Sequence, residues 1–203
     1  MRIITVSREF GSGGREVGKR LADELGFAYY DREIVTEIAK KHELDEAYVE
    51  KTLDSGIFRN IPVHFGRTFT YSPAMISNSV NLFVEQHKII KELASKGDCI
   101  IVGRAADVVL KDYKPFNLFV YADMESKIKR CQARALEGEK TGERDMEKKI
   151  RKVDAERAKY YEFFSNTPWG DKAGYHLCVN TGEMEIKKMV PLIAEYAKAF
   201  WRE

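Results

Sequence analysis

Chemistry first suggests itself at Gly11-Ser12-Gly13-Gly14-Arg15-Glu16, where three glycines stand just ahead of an arginine and a glutamate. Glycines let a backbone turn tightly and approach a ligand closely. The free N–H groups of such a loop, and of a helix that follows it, can cradle phosphate oxygens, aided by the helix dipole. Composition alone allows a simple tight turn equally well. The flanks favour phosphate. Arg2-Ile3-Ile4-Thr5-Val6 is short, apolar and β-branched, as in a buried strand. Val17, Leu21 and Leu25 recur every fourth residue, as on a helix face, and Gly26 stands where a helix C-cap belongs. The order is strand, glycine loop, helix.

Two registers compete. Gly13 to Lys19 fits the spacing G-x-x-x-x-G-K, but it would start the helix near Lys19 and strand Val17 outside its stripe. The better register sets Gly14-Arg15-Glu16 where a phosphate-binding P-loop carries Gly-Lys-Ser/Thr. Arg15 then replaces the lysine, Glu16 the magnesium-binding hydroxyl and Glu9 the first glycine. Arginine can bridge phosphate oxygens bidentately. The Glu16 carboxylate either ligates Mg²⁺ directly or repels the nucleotide.

These residues need a scaffold. Phe27 to Tyr30 reads as a second strand with Asp31 at its C-terminal end, and Asp31 to Asp54 reads as mostly helical. Ser55 to Ser77 mixes Gly56, Pro62, Gly66 and Pro73 with aromatics, as an irregular flap over a site would. A strong helix is expected from about Asn78 to Gly97. Cys99 to Val102 is a buried strand that runs straight into Gly103-Arg104. Further strands are expected at Asn117–Tyr121 and Tyr175–Asn180. A charged helical stretch lies between them, broken near Gly138 and Gly142, and a last helix carries Ile186 to Tyr196. Strands alternating with helices predict one domain over 1–203, an α/β fold with a parallel five-stranded sheet and helices on both faces. Ligands sit at the C-terminal ends of such strands. Gly11 to Gly14, Asp31 and Arg104 all fall there.

Further candidates carry charge. Met146, Ile150, Val153, Tyr160 and Phe164 form an apolar stripe, and Arg157 falls on it. An inward arginine needs an anion, either a phosphate or Asp154 three residues earlier. Arg130 and Arg134 lie one helical turn apart, and with Arg151 they suggest a basic lid over about 130–157. Asp31 is either an acceptor ligand or a helix N-cap. Arg104 and Asp107 form either a site or a surface pair. Tyr160, Tyr161, Phe163, Phe164 and Trp169 suit core packing better than base stacking.

The formal net charge of +2 gives no field for bulk nucleic-acid or membrane binding. Cys99, Cys131 and Cys178 are odd in number and far apart, against disulfides and structural zinc. The opening residues lack a signal peptide's apolar run, so a cytoplasmic location is expected.

The run Ile4-Thr5-Val6-Ser7-Arg8-Glu9-Phe10-Gly11-Ser12-Gly13-Gly14-Arg15-Glu16-Val17-Gly18-Lys19 resembles the signature of the cytidylate kinase-like proteins, a branch of the nucleoside monophosphate kinases beside the bacterial cytidylate kinases. The resemblance continues in Phe27–Arg32, Ile100–Asp107, Ile150–Tyr161, Pro168–Asp171 and Tyr175–Thr181. It implies transfer of the γ-phosphoryl of ATP to a small phosphorylated acceptor, a nucleoside monophosphate such as CMP. Gly11, Ser12, Gly13 and Gly14, with Arg15, Glu16 and Arg130, would hold the donor. Arg15, Arg134, Arg151 and Arg157 would neutralise charge in the transition state. Asp31, Arg104, Asp107 and Asp154 would serve the acceptor side. In cytidylate kinases a Gly-Arg-Asp run stands where this chain has Gly103-Arg104-Ala105, which leaves Asp107 as the substitute acid. Mg²⁺ is implied by the chemistry, with no ligand set evident. Two other outcomes stay open: a nucleotide-binding regulator without transfer activity, and a kinase of another small metabolite.

Overall fold

The computed structural model describes residues 1–55, 73–135 and 141–201. Five strands build one parallel sheet: β1 (Ile3–Arg8), β2 (Ala28–Tyr30), β3 (Cys99–Val102), β4 (Phe116–Tyr121) and β5 (Leu177–Asn180). Their order is β2-β3-β1-β4-β5. β1 therefore lies in the centre, with Val6 beside both Val102 and Leu118. Ile3, Ile4 and Val6 have no access to solvent to speak of, which is why the first half of β1 reads as apolar and β-branched. The chain leaves β1 toward β2 and β3 and later adds β4 and β5 on its other side. The strand order thus reverses at β1, where open α/β sheets place their ligands.

Helix α1 (Gly14–Leu25) buries Val17, Gly18, Leu21 and Ala22 and ends at Gly26, whose left-handed backbone (φ 67°) donates its N–H to the Ala22 carbonyl. α1 packs on α8 (Ile186–Phe200), and Ile186, Val190, Ile193 and Ala194 close the core over Ile4, Val6, Phe116 and Leu118. A short helix α5 (Ala106–Val109) follows β3; α6 (Met124–Arg134) and α7 (Glu143–Phe164) pack together after β4. These elements form one compact unit, residues 1–31 with 96–203.

The second compact unit, residues 32–95, holds α2 (Glu33–His42), α3 (Glu46–Ser55) and α4 (Pro73–Ser95). Ile34, Ile38, Val49, Leu82, Phe83 and Ile90 are buried within it. α4 starts at Pro73, five residues before the expected Asn78. Proline suits a first helical turn, where its missing N–H has no partner to lose. Of the expected flap, residues 56–72 lie outside the described residues, as do residues 136–140 of the expected lid. No described helix is long and apolar enough to cross a membrane.

Candidate functional site

α1 opens at Gly14, capped by Gly13 in the left-handed region (φ 82°). Gly18 and Lys19 are therefore inside the helix, and Lys19 pairs with Asp23 along its exposed face at 3.0 Å. That placement excludes the Gly13–Lys19 register. The loop ahead of α1 is tightly enclosed. A Cβ on Gly13 would lie 2.5 Å from Ile186 Cδ1, and one on Gly11 would lie 2.9 Å from Cys131 Sγ. Ser12 is fully buried; its carbonyl accepts from Thr181 Oγ1 at 2.6 Å, and its hydroxyl donates to the Glu9 carbonyl at 2.8 Å. The loop is held from β5's far end and from its own first residue.

Arginines converge beside it. β1 runs two residues beyond the apolar stretch legible in sequence and ends at Arg8, a largely buried side chain. Arg8 Nη2 stands 3.8 Å from Asp31 Oδ1, and Arg15 Nε stands 2.6 Å from Asp31 Oδ2. Arg157 donates from Nη1 to the Arg8 carbonyl at 3.0 Å and lies over the Phe10 ring. Burial first, then the charge of Arg157, pulls the Arg8 guanidinium down to about 9, which still leaves it charged at neutral pH. Asp31 thus bridges Arg8 and Arg15. The N-cap position of α2 is Arg32, whose own side chain makes no capping bond.

Arg104 is delivered by an unusual turn. Gly103, Arg104 and Ala105 are all left-handed, with φ of 77°, 59° and 49°. For the two non-glycine residues this costs roughly 1 kcal/mol each. Strain of this kind persists where surrounding structure enforces it, and functional sites are where it gathers.

On the other side of α1's first turn lies a cavity of about 570 Å³, lined among others by Glu16, Arg130, Arg134, Gly182, Met184 and Ile186. That volume suits a nucleotide-sized ligand. Arg130 donates to the Gly11 carbonyl at 3.1 Å and to the Thr181 carbonyl, tying α6 to both walls. Arg134 pairs with Glu16 at 3.0 Å, and Glu16's other oxygen takes Arg20 at 2.9 Å.

Beneath the loop sits a cluster whose centre, Lys127, sequence patterns did not single out. Lys127, on α6, is buried with Nζ 3.0 Å from Glu9 Oε2 and 3.2 Å from Asp154 Oδ2. Asp154 Oδ1 accepts the Phe10 N–H at 2.6 Å, and Glu9 Oε2 also accepts the Ala122 N–H at 3.3 Å. One ammonium and two carboxylates bind α6, α7 and β4's end to the first residues of the loop.

The model of the cytidylate kinase-like family matches residues 3–183, from β1 to the turn after β5. The chain belongs to the cytidylate kinase-like family. Among solved structures, an uncharacterized protein from Eubacterium ventriosum is 25% identical, with 98% of this chain and 99% of that one covered and a TM-score of 0.70. A shikimate kinase from Acinetobacter baumannii, solved with shikimate, is 15% identical over 100% of this chain and 96% of its own, at a TM-score of 0.55. A shikimate kinase from Bacteroides thetaiotaomicron is 13% identical over 97% and 98%, at 0.57. These share the P-loop kinase fold, a parallel sheet covered by helices. No curated protein matches the sequence.

In this cytidylate kinase-like chain the expected site residues divide. The structure gathers Gly11 to Gly14, Arg15, Asp31 and Arg157 at the C-terminal ends of β1 and β2, and brings Arg130, Arg134 and Glu16 to the adjoining cavity. Arg151 is exposed, and its guanidinium is forked onto Glu147 of its own helix. Asp154 spends its carboxylate on Phe10 and Lys127 rather than on open space. Asp107 is buried; it accepts the Tyr161 hydroxyl at 2.7 Å, and burial pushes its carboxyl above the usual range. It supports the turn that carries Arg104 from within. The donor set fits a bound Mg²⁺ poorly. Among the described residues no group of three His, Cys, Asp or Glu could hold a metal, and both Glu16 oxygens are in ion pairs.

Proposed function

We propose that this chain transfers the γ-phosphoryl of ATP to a nucleoside monophosphate, with CMP the first acceptor to test. One observation carries the reading: a glycine loop, at the point where strand order reverses, lies between a nucleotide-sized cavity and a group of convergent arginines. In this reading the cavity takes the donor nucleoside, between Arg130, Arg134 and the Gly182–Ile186 turn. Gly11 to Gly14 and the start of α1 hold its phosphates. Arg104 and Asp31 orient the acceptor. An acceptor phosphate oxygen attacks the γ-phosphorus, the bond to the β–γ bridging oxygen breaks, and that electron pair leaves on ADP. The attacking oxygen is already anionic, so no general base is needed, and catalysis rests on positioning and on offsetting charge. Arg15 and Arg157 contribute that charge. Magnesium would have to come with the nucleotide rather than from a set of side chains on this chain, and would add charge against the phosphates. The acceptor is chosen by the 55–77 segment, and the chain works in the cytoplasm.

The test is incubation with ATP, Mg²⁺ and a panel of nucleoside monophosphates, with the products separated. A nucleoside diphosphate formed from the acceptor supports the proposal. The ion pairs of Glu16 favour one rival, a nucleotide-binding regulator, because a carboxylate stands where a P-loop has a neutral hydroxyl. ATP bound tightly and never turned over with any acceptor would establish that rival instead.

A further inference from the structure

P-loops approach the transferred phosphate with a lysine near the start of the helix after the loop, the position that Arg15 takes here. Here the helix opens with Gly14. A side chain could not start there: a Cβ on Gly14 would lie 2.4 Å from Arg8 Cβ and 2.9 Å from Arg8 Cγ. The Arg8 stem fills the volume that a long residue at 14 would need. Its guanidinium then reaches the end of β3, where a Cβ on Gly103 would lie 1.8 Å from Arg8 Nη1. Glycine at both positions gives Arg8 its path from the glycine loop to the Gly103-Arg104 turn.

What awaits that guanidinium is mostly like charge. Arg157, Arg104 and Arg15 all act on Arg8, against Asp31 alone among the acids. Asp31 is 3.8 Å away and has its closer contact with Arg15. Arg8 Nε is buried and has no hydrogen-bond partner among the described residues. A buried cation with an idle donor and cationic neighbours is costly unless an anion completes it. The guanidinium lies between the loop assigned to donor phosphates and the turn assigned to the acceptor.

The geometry points to Arg8, reaching in from β1, as the cation that binds the phosphoryl group in transit, the part a P-loop lysine plays, while Arg15 at the lysine's position is drawn out to Asp31. The assignment rests on the kinase reading for the word "transit"; the anion site itself does not. Arg15 is then the outer partner. It is half exposed and holds Asp31, while Arg8 takes the inner oxygens.

The test measures two things, binding of inorganic tripolyphosphate by calorimetry and turnover with ATP and the monophosphate panel. The variants are Arg8→Gln, Arg15→Gln, Gly14→Lys and the double Arg8→Gly/Gly14→Lys. Arg8→Gln is expected to lose tripolyphosphate affinity and about a hundredfold in kcat, as for loss of one donor to a developing charge, with a smaller change in the KM for ATP. Arg15→Gln should lose less. Gly14→Lys alone should be impaired, because its side chain has no room. The double variant, which vacates that room and fills it with a lysine, should recover binding and turnover. Tripolyphosphate binding unchanged in folded Arg8→Gln, or a folded double variant that does not bind, would overturn the assignment. Should the variants fail to fold, the wild type decides: its Arg8 Nε–H resonance must shift on adding tripolyphosphate, and a stationary signal refutes the site. Wild-type turnover with Arg8 silent overturns this inference and leaves the kinase reading standing. Tripolyphosphate bound through Arg8 without any nucleoside diphosphate formed does the reverse.

Discussion

Lys127→Met isolates what the buried cluster under the loop contributes. Methionine keeps most of the stem that packs beneath Gly11 and removes the ammonium. Glu9 and Asp154, 3.0 and 3.2 Å from Nζ in the wild type, are then left facing each other across the gap. Breaking a buried charge pair costs about 3–5 kcal/mol, because the surviving charge is uncompensated. Part of that is offset here. Glu9 keeps the Ala122 N–H, and Asp154 keeps the Phe10 N–H with Arg157 at 3.8 Å. The low end, about 3 kcal/mol, is therefore expected. For a chain of this size that is a fall in Tm of about 6–12 °C. Urea unfolding followed by tryptophan fluorescence reads the right unit, since Trp169 and Trp201, the chain's two tryptophans, both belong to the sheet unit. Adding Asp154→Asn should return at least about 1 kcal/mol relative to the sum of the single variants, because it removes one of the two orphaned charges while an amide oxygen still accepts from Phe10. A loss below about 1 kcal/mol in Lys127→Met, or strict additivity in the double variant, would show that the cluster behaves as a solvated surface pair.

Lys19→Ala should leave turnover and nucleotide binding unchanged, since Lys19 is exposed along α1 and pairs with Asp23; a severe defect would mean that the helix start has been misjudged. Gly13→Ala should cost about 2–4 kcal/mol in urea unfolding, adding left-handed strain to a collision with Ile186; a loss under about 1 kcal/mol would mean that the loop relaxes freely. His176 accepts the Asn117 N–H on Nδ1, and burial lowers its pKa below 6.5. The unfolded chain then binds the proton more readily, so stability present above about pH 6.5 is lost as the pH falls through the folded pKa. His176→Gln should flatten that slope in unfolding measured from pH 7 to 5, and an unchanged slope would rule the residue out as its source.

Much of the fold was open to inspection because the strands at the middle of the sheet are buried. Apolar runs such as Cys99–Val102 have one structural use, and Gly26 marks the end of α1 unambiguously. The glycine loop was legible for the same reason, as was Arg157, which broke an apolar stripe. Arg8 was not. Hydrophobic patterning ends at Val6, and strands change to polar residues where they reach a ligand, so in sequence β1 reads as ending before Arg8. Lys127 was invisible for a different reason. It stands among Lys129, Arg130 and Arg134 on a strongly charged helix, and the two acids that bury it are 118 and 27 residues away. Arg151 misled in the opposite direction, since a basic residue near a site carries no mark of which way it faces. The start of α4 was marked by Pro73 at its first turn, a sign obscured by the glycines and aromatics before it.

The central position of β1 has a consequence for how the chain comes into being. β1 is made before either of its neighbours: Ile3 pairs with Cys99 and Ile4 with Phe116, both about a hundred residues further along the chain. The strand must wait, apolar and unpaired, until those residues have been made, in the manner of folds dominated by distant pairings. The glycine loop waits longer still, because Thr181 is the residue that closes over Ser12. On the kinase reading, a nascent chain therefore has no phosphate cradle until β5 and Thr181 have emerged, and nucleotide cannot template its early folding. It can only seal the finished product.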